Sequence, residues 1–179
     1  MGSRGRRLRS RVFFLNTEVE AMTNLLKPIL LVEDNPKDLE LALVALAKSN
    51  LANDVVVARD GVEALDYLMR RGNWTERPQG NPAVVLLDLK LPKLDGIQVL
   101  RTIRSDPVLQ PLPVVILTSS REEQDLVNSY KLGVNAYVVK PVGFPDFIEA
   151  IQALGIFWAV LNEPPPGSVK PRFADASGN

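Results

Sequence analysis

Ile29-Leu30-Leu31-Val32-Glu33-Asp34-Asn35-Pro36 decides how the chain is read. Four consecutive apolar residues leave neither face polar, as an inner strand of a parallel sheet requires. Asn35 followed by Pro36 offers a helix N-cap and a first helical position. The acids Glu33 and Asp34 therefore stand where a strand hands over to a helix. The same change of period recurs along the chain. It predicts further strands over 54–58, 83–87, 113–117 and 136–139. Helices are predicted over 36–49, 61–71, 96–104, 121–132 and 145–161. In the first helix Leu39, Ala42, Leu43 and Leu46 make a core stripe, and in the second Val62, Leu65 and Leu68 face inward. Residues 72–82, rich in Gly, Pro and Asn, form a long loop.

Five strands alternating with five helices imply an α/β fold with right-handed βαβ crossovers and helices on both faces. The count matches a doubly wound, five-stranded parallel sheet of order 2-1-3-4-5, a flavodoxin-like three-layer sandwich. In such sheets the site lies outside the carboxyl ends of the strands. The predicted organisation is a flexible basic arm over 1–26, one domain over 27–163 and a Pro-rich tail over 164–179. Met22 offers an alternative start.

Composition removes several chemistries. With no Cys and no His among 179 residues, disulfides, thiolate and imidazole metal sites, serine triads and His-based acid–base catalysis are excluded. Lys plus Arg and Asp plus Glu both count 21, but five arginines fall between residues 4 and 11. The body is thus mildly acidic, which argues against a nucleic-acid partner. No apolar run reaches the ~18–20 residues that span a bilayer, so no membrane partner is expected and the chain reads as cytoplasmic.

The strand ends carry the chemistry. Strand one ends in Glu33 and Asp34, strand three in Asp88, strand four in Thr118 and Ser119, and strand five in Lys140. Singly, each reads as a cap, a turn residue or a solvated charge. Together they bring three carboxylates to one edge, where mutual repulsion calls for a cation. Mg²⁺ suits such a site, since it takes one or two carboxylates and leaves positions for phosphate oxygens. A carboxylate can also act as nucleophile and form an acyl phosphate. That transfer needs charge neutralisation more than proton chemistry, and Asp34, Lys140 and Thr118 are of the right types.

Residues 27–163 resemble the receiver domain of two-component response regulators. The resemblance rests on Glu33-Asp34, on Asp88 in the run from Leu86 to Gly96, on Thr118-Ser119 and on Lys140-Pro141. It implies that Asp88 accepts a phosphoryl group from a sensor histidine kinase. It implies Mg²⁺, replaceable by Mn²⁺ or Ca²⁺, held by Asp34, Asp88 and the backbone carbonyl of Lys90, with Glu33 acting through water. Lys140 and Ser119 would bind the phosphoryl group, the bond to Pro141 would be cis, and Thr118 would close with Tyr137 as switch aromatic. The long loop and the ending from Phe157 to Pro166 further resemble stand-alone regulators paired with bacterial and cyanobacterial phytochromes. A bacteriophytochrome kinase is the implied partner, and the downstream target stays open. About 16 residues follow Glu163, so no DNA-binding output domain is expected, and the chain is not expected to be an enzyme. Two alternatives are an Mg-dependent aspartyl-phosphate phosphatase of the haloacid dehalogenase type and a phosphorylation-independent interaction module. The first lacks the second Asp two residues beyond the nucleophile of strand one.

The last helix has more apolar residues than one face can use. Phe147, Ile151, Leu154, Trp158 and Leu161 suffice to meet the sheet, leaving Ile148, Ile156, Phe157 and Val160 elsewhere. Leu41, Val44 and Ala45 likewise lie off the core stripe of the first helix. Exposed, this strip exceeds what a soluble monomer tolerates. A homodimer through the last helix is expected, the alternative cover being the Pro-rich tail.

Overall fold

Main-chain hydrogen bonding divides the chain as the alternation predicts. The elements are β1 (Ile29–Val32), α1 (Pro36–Lys48), β2 (Val55–Ala58), α2 (Gly61–Leu68), β3 (Val84–Leu87), α3 (Gly96–Ser105), β4 (Val114–Thr118), α4 (Glu123–Lys131), β5 (Ala136–Val139) and α5 (Phe144–Ile156). They come from a computed structural model that describes residues 26–48, 53–119, 123–140 and 144–156. All strands are parallel, in the order β2-β1-β3-β4-β5. The inner strands β1, β3 and β4 are buried along their whole length, whereas edge strand β5 is half-buried throughout.

Two-residue alternation along each strand divides the core into two layers. Ile29, Leu31, Val84, Leu86, Val115 and Leu117 meet Leu39, Ala42, Ala45 and Leu46 of α1 and Ile151 of α5. Leu30, Val32, Val85, Leu87, Val114 and Ile116 meet α2 and α3 through Ala64, Leu65, Leu68, Val99, Leu100 and Ile103.

Two inward assignments are corrected. Ala45, not Leu43, completes the α1 stripe: Ala45 is fully buried and Leu43 is 36% exposed. Both positions flank the line through Leu39, Ala42 and Leu46, and the smaller side chain permits the closer approach to the sheet. Val62 is 41% exposed, whereas Ala64, Leu65 and Leu68 form the buried face of α2.

Helix α2 also stops at Leu68, short of the expected residue 71. Arg70 takes a left-handed φ of 55°. Its N–H donates to the Tyr67 carbonyl and the Arg71 N–H to the Asp66 carbonyl. This paired closure satisfies the carbonyls that the helix leaves open. The loop that follows is ordered by one side chain. Arg77 donates to the Tyr67, Leu68, Pro78 and Gly80 carbonyls and lies 4.4 Å over the Tyr67 ring. Trp74, in a short 3₁₀ turn, packs edge-on against that ring.

No helix among the described residues is long and apolar enough to cross a membrane. The expected surplus strip falls outside the described residues: the side chains of Ile148 and Ile156, and Phe157 and Val160 entirely. The same holds for Pro141, for residues 1–25 of the arm and for the tail.

Candidate functional site

The parallel sheet delivers the carboxyl ends of β1, β3, β4 and β5 to one edge, and the chemistry-bearing residues arrive with them. The β1 end supplies Glu33 and Asp34. The Asn35 side chain accepts from the Lys37 N–H at 2.9 Å and so caps α1, turning the chain away directly behind them. The Asn35 N–H donates to Glu33 Oε1 at 3.1 Å and fixes that carboxylate. Glu33 is 2% exposed and Asp88, at the β3 end, 6%. Asp88 Oδ1 accepts from the Leu89 N–H at 2.7 Å. Carboxylate oxygens of Glu33, Asp34 and Asp88 lie within 4.8 Å of one another.

Lys140, at the β5 end, is the counter-charge. Its Nζ lies 2.5 Å from Glu33 Oε2, 2.9 Å from Asp38 Oδ2 and 3.2 Å from Asp88 Oδ2. Its N–H donates to the Thr118 carbonyl at 2.7 Å, tying the β4 and β5 ends together. Burial works against the ammonium charge, but the Glu33 hydrogen bond, the Asp88 and Glu33 charges and the Asp38 hydrogen bond outweigh it and hold the Lys140 pKa above its ordinary value. Glu33 moves upward, chiefly through burial, with Lys140 opposing and Asp88 reinforcing.

Thr118 is fully buried, and Tyr137, half-buried, packs against the α2–α3 layer. Tyr137 is the register partner of Ile116. Alternation places Thr118 on the face that Ile116 occupies, so hydroxyl and ring lie on neighbouring strands of the same layer. Ser119 is exposed just beyond β4, and Lys90 follows Asp88 in the β3–α3 loop.

The sites expected from sequence are thus brought together: Glu33, Asp34, Asp88, Thr118 and Lys140 converge. Asp38 was not among them, and it joins from the first turn of α1. At the β2 end Asp60 caps α2 by accepting from the Glu63 N–H at 2.8 Å and pairs with Lys93 of the β3–α3 loop.

Glu33, Asp34 and Asp88 gather three carboxylates, two of them buried, while one ammonium is shared by Glu33, Asp88 and Asp38. All-oxygen donors with an excess of negative charge fit a hard divalent cation. Glu33, Asp34 and Asp88 are the side chains that could hold it.

Comparison with known proteins agrees with this geometry. The family described as response regulator receiver domain matches residues 29–152. Response regulator Rcp1 of Synechocystis sp. is 39% identical over 132 residues, covering 74% of this chain and 88% of its own. The Mn²⁺-bound form of Rcp1 aligns with a TM-score of 0.72 at 38% identity, over 78% of this chain and 99% of that one. The bacteriophytochrome response regulator AtBRR is 69% identical, with a TM-score of 0.64, over 77% and 99% of the two chains. The phosphorylated cyanobacterial phytochrome response regulator RcpA is 41% identical, with a TM-score of 0.73, over 78% and 99%. The parallel sheet of order 2-1-3-4-5 and the family match over residues 29–152 show that this chain belongs to the response regulator receiver domain family.

Proposed function

We propose that the chain accepts a phosphoryl group on the Asp88 carboxylate from a sensor histidine kinase of the phytochrome class and signals by docking, as a cytoplasmic switch rather than a turnover enzyme. The observation that carries this reading is the buried carboxylate of Asp88 facing Lys140 at 3.2 Å beside two further acids. A carboxylate oxygen of Asp88 attacks phosphorus as the donor's P–N bond breaks, and the imidazole nitrogen leaves with the electron pair. Lys140 neutralises charge on the transferring oxygens. A divalent ion, Mg²⁺ in our reading, would be held by Asp34, Asp88 and the Lys90 carbonyl, with Glu33 acting through water, and would offset the remaining negative charge. Thr118 and Ser119 then bind the acyl phosphate, and the inward shift of Thr118 frees room for the Tyr137 ring. We assign residues 27–163 to this domain. The phytochrome class of kinase is supported by the names of the relatives at 41% and 69% identity.

Intact mass after incubation with acetyl phosphate and Mg²⁺ tests the assignment. The native chain should gain one phosphoryl mass, and Asp88→Asn should gain none. A phosphoryl gain in Asp88→Asn would refute Asp88 as acceptor, and multiple turnover of a phosphoester would favour the phosphatase alternative.

We also infer a homodimer through the α1–α5 side, involving Ile148, Ile156, Phe157 and Val160. The support is the apolar surplus of the sequence together with Leu43 and Val44, which are 36% and 38% exposed on α1. Sedimentation at micromolar concentration should give a dimer for the native chain and a monomer for Phe157→Asp. A monomeric native chain would overturn the inference.

A further inference from the structure

Lys140 has three N–H donors, and three carboxylates take them: Glu33, Asp38 and Asp88. An incoming phosphoryl group can claim Lys140 only by displacing one of these. Glu33 is a poor candidate. Its side chain is 3% exposed and its other oxygen is fixed by the Asn35 N–H, so release would strand a buried charge. Asp88 keeps its place until transfer, because its carboxylate is the nucleophile. Afterwards that place serves a single phosphoryl oxygen, so a donor for the incoming group before transfer, or for a second phosphoryl oxygen after it, must come from another partner. Asp38 differs from both. Its side chain is 32% exposed, so water can take over its hydrogen bonds. It also belongs to no strand end but to the first turn of α1, a helix that packs against α5 on the same sheet face.

We propose that Asp38 is a positioning residue that holds Lys140 in the unphosphorylated state and is the counter-ion Lys140 gives up on phosphorylation, so that phosphoryl transfer unties the start of α1 from the end of β5. The proposal rests on the reading that Asp88 carries the phosphoryl group. Asp38 also adds a negative charge beside the ammonium that must meet a phosphoryl dianion, which makes it a brake on labelling. Coupling then runs to the α1–α5 side of the sheet, on the opposite layer from Thr118 and Tyr137.

The test is the rate of phosphoryl gain from acetyl phosphate and Mg²⁺ in the full chain, followed by intact mass. Asp38→Asn keeps an acceptor of the same shape but removes the charge, and a charge-assisted bond is roughly twice as strong as a neutral one. Labelling of Asp38→Asn should be faster than native by about five-fold, the ratio expected for loss of one such increment. Asp38→Glu, which restores the charge on the same turn, should return the rate to about that of the native chain. Amide exchange over residues 39–43 should rise on phosphorylation in the native chain and be already raised in unphosphorylated Asp38→Asn. A residue that merely supported the fold would slow labelling and would not be rescued by glutamate. An Asp38→Asn rate at or below native, or an Asp38→Glu rate as fast as Asp38→Asn, overturns the proposal while leaving Asp88 as acceptor. A native chain that takes no label, or an Asp88→Asn chain that does, overturns both.

Discussion

Lys140→Met is expected to lower stability by about 3–5 kcal/mol at neutral pH in the absence of divalent ions, the usual cost of removing one member of a buried ion pair. Methionine keeps most of the apolar stem, so the loss isolates the charge. The side chains of Lys140, Glu33 and Asp88 are only 7%, 3% and 8% exposed, and solvent cannot take over the ammonium's role. Two rescues should follow from the same electrostatics. A divalent ion should recover part of the loss, because it supplies positive charge to Glu33, Asp34 and Asp88. Acid should recover part of it too. Burial already raises Glu33, and without Lys140 it rises further. A carboxyl whose folded pKa is raised binds its proton more readily in the native state than in the unfolded chain. Its contribution to stability is therefore present below the unfolded value of ~4.3 and is lost as pH rises through the folded one. The deficit of Lys140→Met should narrow as pH falls from 7 toward 5. Lys140 itself, held above its ordinary value, contributes fully below the unfolded lysine value of ~10.4 and loses that contribution only in strong alkali. Urea denaturation at pH 7 and pH 5, with EDTA or with Mg²⁺, measures all three effects. A deficit below about 1 kcal/mol, or one that ignores both pH and metal, would show that the cluster is solvated rather than buried.

How much of this was legible beforehand differs by element for physical reasons. β1 and β5 fall on the expected residues because apolar runs bounded by Pro and by charges leave little freedom at either end. The convergence of Glu33, Asp34, Asp88, Thr118 and Lys140 followed from parallel topology alone, since each closes a strand. Asp38 was missed because it closes nothing. A signal was nevertheless present. Side chains on a helix lean toward its N-terminus, so an acid in the first turn after Asn35 leans toward the edge of the sheet that the strand has just left. The end of α2 was not legible. Its stop depends on Arg70 adopting a left-handed φ, which arginine rarely does and which composition does not announce. Leu43 and Ala45 are misordered by period alone, because helical spacing sets Leu43 nearer the line through Leu39, Ala42 and Leu46. Distance to the sheet separates them, and that is a tertiary quantity.

Gly96→Ala is the second substitution from which a large effect is expected, and it reaches the phosphoacceptor without touching a charge. Gly96 opens α3 after the Asp95 cap and is buried, and its N–H donates to the Leu89 carbonyl at 2.9 Å. A Cβ there would lie 2.2 Å from the Asp88 carbonyl oxygen and 2.8 Å from Leu89 Cα. Both are backbone atoms, so no rotamer change relieves the contact. Either α3 or the β3 end must move. Overpacking of this kind costs about 1–3 kcal/mol, and the backbone origin places it near the upper figure. The functional loss should be larger in proportion, because the atom struck belongs to Asp88. A displacement of about 1 Å at a reacting group can cost on the order of a hundred-fold in rate. Labelling by acetyl phosphate and Mg²⁺ should therefore fall at least about ten-fold even where the variant is still folded. Gly80→Ala is the matched control. Gly80 has a φ of 110° but nothing within 4 Å of a built Cβ, so its cost comes from backbone strain in a loop remote from the strand ends. It should lose stability and keep native labelling. Urea denaturation and a labelling time course on both variants separate the two effects. Native labelling in a folded Gly96→Ala chain would mean that α3 yields instead, and that the position of Asp88 is set by β3 alone.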